Sequence, residues 1–504
     1  MNKPKKYFRN DVHLTPTTLM FLFILIVSLM YAFTQPIYGV SDEPAHVVKA
    51  VASGRGEFVG PNVIGQFGYS ATEYQIPAAY DSIWNFVCYN GDVNATPKCS
   101  EQLTNDRKLV PVSTTAGNYP PLYYITVGWI GNVFVGPWGI YLMRIATSFI
   151  VALLLVLSFK QSLKFLSRSR AITASMIAFT PAVAAFAGTV NPFSVEVAAA
   201  TLFWTTSISI FVRKEGKKFL KSDYLLIISG VLLALIRPVS FFWIAIIELF
   251  LLFFFYEPTR AKRKSNSKTT QLAVAAAVFV ISVGANFSRN GITAFGASGP
   301  AGGSMLGNMR ISYERSADYL RQLFGFFGWT HFYPPIYVPL IFCGAAIFVG
   351  ARIYNRSRRQ IVCLLLLVIF IVYSPTVLEG LRAASNGWGY QGRYILAVAV
   401  GLPFLYFIDG ISSEEVSGQK SEFKWPIIAV AIAHFLAIIH VAHRFFVGLN
   451  GPYFWIQSTQ WTGYGGVALF LTLLGAAALV VILLVRMHSP LSGAEDSRTS
   501  KQSL

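Results

Sequence analysis

Leu19-Met20-Phe21-Leu22-Phe23-Ile24-Leu25-Ile26-Val27-Ser28-Leu29-Met30-Tyr31-Ala32-Phe33, soon followed by Ser41-Asp42-Glu43-Pro44-Ala45-His46, decides how this chain is read. The first run is uncharged and apolar enough to form the core of a membrane span. The second places two adjacent carboxylates just where the chain leaves the bilayer. Acidic residues at that depth are costly and suggest function. A substrate carried on a lipid would arrive beside them.

Composition extends this reading to the whole chain. Of 504 residues, 54% are hydrophobic and 13% charged, and mean hydropathy is +0.52. The charged share is about half that of soluble domains. The fold class expected is an all-α polytopic membrane protein, with one integral membrane domain over 1–486 and a cytoplasmic polar tail at 487–504. The net charge of +18 does not indicate nucleic acid, because the cations lie in short clusters between apolar runs, as in cytoplasmic loops.

That rule orders the spans. Lys3, Lys5, Lys6 and Arg9 hold the N-terminus inside; no small-x-small cleavage site follows the first run, so it reads as an anchor. Later spans are expected near Trp138–Phe159, Ala171–Gly188, Val195–Val212, Tyr224–Ile236, Val239–Tyr256 and Gln271–Phe287. Five more follow near Ile336–Ala351, Ile361–Leu378, Tyr394–Ile408, Pro426–Ala442 and Gly465–Val485. Roughly two-thirds of the 41 Lys and Arg then fall on the cytoplasmic side. The count is about 12 transmembrane helices, with both termini cytoplasmic. Large extracytoplasmic loops cover 39–136 and 288–335. Tyr119 to Val135 is apolar enough to span, but would put the Lys160–Arg170 cluster outside. It therefore reads as interfacial or re-entrant.

Cys88 and Cys99 lie in the first outer loop with ten residues between them. A disulfide there would stabilise the loop by roughly 3 kcal/mol; two free thiols are the alternative. Ser41-Asp42-Glu43-Pro44 also makes a good helix start, with Ser41 as cap, two acids favouring the dipole and Pro in the first turn. Capping and catalysis are compatible, since a helix start holds a carboxylate rigidly.

An ordered set of motifs carries a family resemblance. It comprises Asp-Glu-Pro-x-His after the first span, Tyr119-Pro120-Pro121-Leu122-Tyr123-Tyr124, Arg144 at the head of the second span, and Gln391-Gly392-Arg393-Tyr394. The set resembles the bacterial membrane-protein family "domain of unknown function 2142", grouped with the GT-C glycosyltransferases, over nearly the whole chain. The resemblance implies a bacterial cell membrane, a polyprenyl-phosphate sugar donor, and a glycan or protein acceptor. It also implies an acidic motif and amphipathic helices in the first outer loop. Asn191-Pro192-Phe193-Ser194 sits where an Asn-Pro-Asp-like motif is expected, so Phe193 replaces a third carboxylate.

Inverting sugar transfer explains these residue types. The acceptor hydroxyl loses its proton as it attacks the anomeric carbon, and a placed carboxylate takes it. The phosphate leaving group needs cations or a metal. Asp42 and Glu43 are the expected catalytic residues, with Asp42 as base and Glu43 orienting the acceptor or binding a divalent ion (Mg or Mn). His46, Arg144, Arg237, Arg393 and Tyr394 are expected to bind substrate. Arginine at membrane depth grips phosphate through two donors, although each can also snorkel to the interface. Glu196 would pair with one of them. Gly325-Phe326-Phe327-Gly328-Trp329-Thr330-His331 reads as an interfacial aromatic belt. Two other readings stay open: a transporter or flippase of lipid-linked sugars, with broken helices at midplane, and a surface-polysaccharide polymerase or ligase.

Overall fold

The computed structural model describes residues 14–65, 70–81, 87–213, 221–255, 303–353, 355–386, 388–408, 424–457 and 459–487. The expected seventh span, the first part of the second large loop (288–302) and the C-terminal tail from 488 onward lie outside the described residues.

Helix α1 (Pro16–Thr34) begins with Pro16 and a Thr15 hydroxyl that accepts from the Thr18 amide at 3.2 Å. After it come α2 (Glu43–Gly54) and α3 (Leu122–Val133), then the long α4 (Pro137–Ser162). Next are α5 (Arg168–Ala178), α6 (Pro181–Ala187), α7 (Phe193–Phe211), α8 (Lys221–Ile236) and α9 (Ser240–Phe255). After the undescribed stretch come α10 (Met305–Glu314), α11 (Ser316–Gln322), α12 (Tyr337–Gly350) and α13 (Arg358–Asn386). Helices α14 (Lys424–Val447) and α15 (Gly466–Arg486) complete the order.

Helix α1 packs on α4 and α15, and α4 on α7, which also carries α8. Helix α7 forms the centre: its membrane-length window is wholly buried, against 28% for α15. The difference follows composition. Helix α7 mixes Ala, Ser and Thr with large apolar residues and tolerates helix neighbours on all sides, as small residues do in membrane interiors. Helix α15 turns Leu471, Leu479 and Ile482 outward, where lipid replaces protein as the apolar medium.

Among the described residues, six helices are long and apolar enough to cross a membrane, or seven if α5 and α6 form one bent span. The expected count of 12 is not reached. Helices α8, α9 and α12 are apolar but shorter; 16 residues rise only about 24 Å against a core of about 30 Å. Helices α5 and α6 meet at 65°, where Pro181 follows Thr180 and the Thr180 hydroxyl starts a new helix. The tenth expected span is a chain of short pieces, Gly392–Ile395, Leu396–Ala399 and Leu402–Tyr406.

The first loop corrects the all-helical expectation. It holds a three-stranded antiparallel sheet of β1 (Asn62–Ile64), β2 (Ser70–Pro77) and β3 (Leu109–Thr114), in spatial order β1-β2-β3. Asn62 faces Thr72, and Tyr74 faces Val112. Tyr74 and Ile76 point inward, and the Tyr74 hydroxyl accepts from buried Lys49 Nζ of α2 at 2.7 Å. Helices α2 and α3 press together so closely that a Cβ on Gly128 would stand 1.7 Å from the Ala50 carbonyl oxygen. Cys88 and Cys99 are joined as a disulfide. Their loop rests on α14, where Arg444 donates to the Ala95 and Asp92 carbonyls at 2.6 and 2.9 Å.

Candidate functional site

The two adjacent acids of the opening motif face opposite ways. Glu43 is fully buried, and its carboxylate is saturated. Arg144 Nε donates to Oε1 at 2.7 Å and Nη2 to Oε2 at 2.6 Å. The backbone amides of Val190 and Tyr38 supply two more donors, each at 3.1 Å. Arg144 is equally satisfied: Nη1 donates to the carbonyls of Ala32 and Gln35, and Nη2 to that of Pro36, at 2.8–2.9 Å. This knot ties the end of α1 and the start of α2 to α4 and the turn before α7. A buried pair repays its desolvation only when every donor and acceptor is used in this way.

Asp42 is the N-cap residue of α2 but makes no capping hydrogen bond. Its backbone lies in the left-handed region at φ 69°. Asp adopts this region more readily than most residues, at some strain. The preceding turn is held from outside: the Ser41 amide donates to the Gly328 carbonyl at 3.0 Å, and the Trp329 indole to the Tyr38 carbonyl at 2.8 Å. The aromatic segment read as a membrane belt thus also braces the Asp42 turn.

Released from capping, the Asp42 side chain remains 48% exposed and accepts from Arg393 Nη2 at 3.1 Å. Arg393 is almost wholly buried, yet Asp42 is its sole polar contact among the described residues. Its Nε and Nη1 are buried without partners among those residues. The Phe186 ring covers its guanidinium at 4.0 Å, and Phe193 and Tyr394 flank it at 5.5 and 5.6 Å. Arg393 is positioned from α11 and α13. A Cβ on Gly392 would lie 2.1 Å from the Tyr319 carbonyl oxygen, so only glycine permits this approach. Glu379 accepts from the Gly389 and Tyr390 amides at 2.7 and 2.8 Å.

Arg237, in the turn between α8 and α9, supplies the second cation. It donates to Glu196 Oε2 at 2.7 Å, while Ser240 and Trp243 donate to Oε1 at 2.6 and 3.0 Å. Its guanidinium lies 5.0 Å from the Tyr394 ring and 6.0 Å from Phe193. The two arginines therefore share these rings, with Phe193 standing where a third carboxylate was expected. The Asn191 side chain accepts from the Phe193 amide at 2.9 Å and starts α7.

His46 Nδ1 and the Tyr124 hydroxyl share a hydrogen bond of 2.8 Å, and Tyr119 meets the imidazole edge-on at 5.2 Å. Burial pushes His46 down to about 3; Asp42 draws it up, and the charges of Arg237 and Arg393 press it down. The imidazole is therefore neutral at pH 7.

The expected residues thus converge in two layers. Asp42, His46, Arg237, Arg393 and Tyr394 share one cluster; Glu43 and Arg144 form the adjoining buried knot. Sequence reasoning missed Phe186 and Tyr390, since neither differs in type from an ordinary core aromatic; the buried Tyr390 hydroxyl has no hydrogen-bond partner among the described residues. A divalent ion does not fit the proposed acidic pair. All of Glu43's oxygen capacity is spent on Arg144 and two amides, leaving Asp42 alone, and no three His, Cys, Asp or Glu side chains converge among the described residues.

Long apolar helices, a buried central helix and arginine–carboxylate pairs define an integral membrane protein with a polar site at one end of its bundle. A family model described as a predicted membrane protein of domain of unknown function 2142 matches residues 23–402. The chain belongs to that family. No curated protein matches it.

Proposed function

We propose that this protein transfers a sugar, a hexose or pentose, from a polyprenyl-phosphate donor to a glycan or protein acceptor at the outer face of the cell membrane. The observation that carries the reading is the placement of Asp42: a half-exposed carboxylate, excused from capping, beside a buried guanidinium with unused donors. Sugar transfer from a lipid phosphate uses a base for the acceptor proton and a cation for the leaving group, side by side.

In this mechanism the acceptor oxygen attacks the anomeric carbon and its proton passes to Asp42. The bond from that carbon to the phosphate oxygen breaks, and the electron pair leaves with the phosphate. Arg393 and Arg237 stabilise the growing charge in a site screened from water. Glu43 and Arg144 act by position, fixing the backbone on which Asp42 stands. Neutral His46 and Tyr124 form a polar wall beside it.

Sidedness has internal support. Asp42, Arg237 and Arg393 share one end, whereas cationic ends of other helices meet elsewhere. There Arg213 pairs with Asp223 at 3.1 Å, and Lys164 reaches Ser222 at 3.5 Å. Positive charge marks the cytoplasmic side, which supports an outer position for the site.

A second reading, carriage of a lipid-linked sugar across the bilayer, is favoured by the 65° break between α5 and α6 and the fragmented 392–406 segment, because carriers build sites at broken helices. Incubating purified protein with a donor bearing labelled sugar separates the readings. Transfer requires label on the acceptor; carriage leaves all label on the lipid and overturns the enzymatic reading.

A further inference from the structure

We propose that Asp42 and the donor phosphate compete for Arg393, so that donor binding frees the base and sets the order of the reaction. This inference rests on the transfer reading above. Arg144 and Arg393 are both buried arginines, but only one is satisfied. Each nitrogen of Arg144 has a partner, whereas among the described residues the Arg393 guanidinium has only the Nη2 contact to Asp42, with Nε and Nη1 orphaned. A guanidinium carries five N–H donors arranged as a fork, and a phosphate matches two at once. Phe186 and Phe193 cover the guanidinium and restrict the fork's rotation. Two phosphate oxygens therefore gain more from Arg393 than the single Asp42 oxygen does.

Asp42 is the easier partner to displace. Its side chain is 48% exposed, so water replaces the lost contact. While Nη2 holds it, one carboxylate oxygen is engaged with the guanidinium rather than with an acceptor hydroxyl. Once the phosphate takes the fork, that oxygen is released beside the leaving group. The carboxylate oxygen that faces Arg393, and so the leaving group, then becomes available to the acceptor when a donor is present.

The test is calorimetric binding of decyl phosphate to the full chain in detergent, with inorganic phosphate in parallel. Removing the competitor by Asp42→Asn should tighten decyl phosphate binding roughly tenfold, the worth of one charge-assisted hydrogen bond. Arg393→Ala should abolish it. Asp42→Gly, which accepts a positive φ without strain, should tighten binding as well, and serves if the Asn variant is poorly folded. Unchanged or weaker affinity in the folded Asp42 variants overturns the competition. Inorganic phosphate binding as tightly as decyl phosphate assigns the site to free phosphate and overturns the lipid donor while keeping the competition. Tightened binding without any sugar transfer keeps the competition and overturns the transfer reading.

Discussion

Glu43 and Arg144, 101 positions apart, form a two-point ion pair in which neither side chain reaches solvent. The pair anchors the turn that carries Asp42, so one acid of the motif builds the site that the other uses. Glu43→Gln preserves volume but leaves the Arg144 charge uncompensated. Breaking such a pair costs about 3–5 kcal/mol. The expected outcome is a marked fall in melting temperature and in yield of folded protein, against little change for Asp42→Asn. Equal melting temperatures for Glu43→Gln and the native protein would remove the structural role.

His46 gives a pH signature. Its value in the fold is about 3, against 6.5 for the ordinary imidazole, so the unfolded chain binds more protons between these limits. Stability is full above about pH 6.5 and declines as the pH falls toward 3, by up to about 1.4 kcal/mol per unit. His46→Gln, which cannot take the proton, should flatten the melting curve over that window. A variant with the same pH slope as the native protein would contradict the assignment.

The site was more legible in the sequence than the membrane architecture. Asp42, His46, Arg237 and Arg393 stood out because charge and polarity are rare and costly in an apolar chain, and they do meet. The sequence suggests that Glu196 pairs with one of the arginines, as it does with Arg237; which arginine it takes, and that Glu43 takes Arg144, is decided by packing between distant elements. The sheet was missed because β1 has three residues and β3 carries Pro111, which weakens any period-two signal. Hydropathy counts the 394–408 and 171–188 runs each as one span, but Gly401 and Pro403 divide the first and Thr180-Pro181 bends the second.

Arg393 should be sensitive to shape as well as charge. Lysine keeps the cation but replaces the fork with a compact ammonium. Donor use should fall in Arg393→Lys and further in Arg393→Ala, read as the rise in donor KM. Equal donor use in native protein and Arg393→Lys would reduce the residue to a generic interfacial cation.

Sidedness can be tested on intact cells with single cysteines and a membrane-impermeant thiol reagent. Substitutions at Asn118 and Gly303 should label from outside, and one at Arg358 should not. Labelling at Arg358 from outside would invert the topology and move the site to the cytoplasm.

The most direct measurement is single-turnover transfer of labelled sugar by purified native protein and by Asp42→Asn. Asparagine tolerates the left-handed backbone and keeps the volume, so the melting temperature should stay unchanged. Transfer should slow by roughly two to four orders of magnitude, the worth of a positioned general base. Native rates in folded Asp42→Asn would contradict the account.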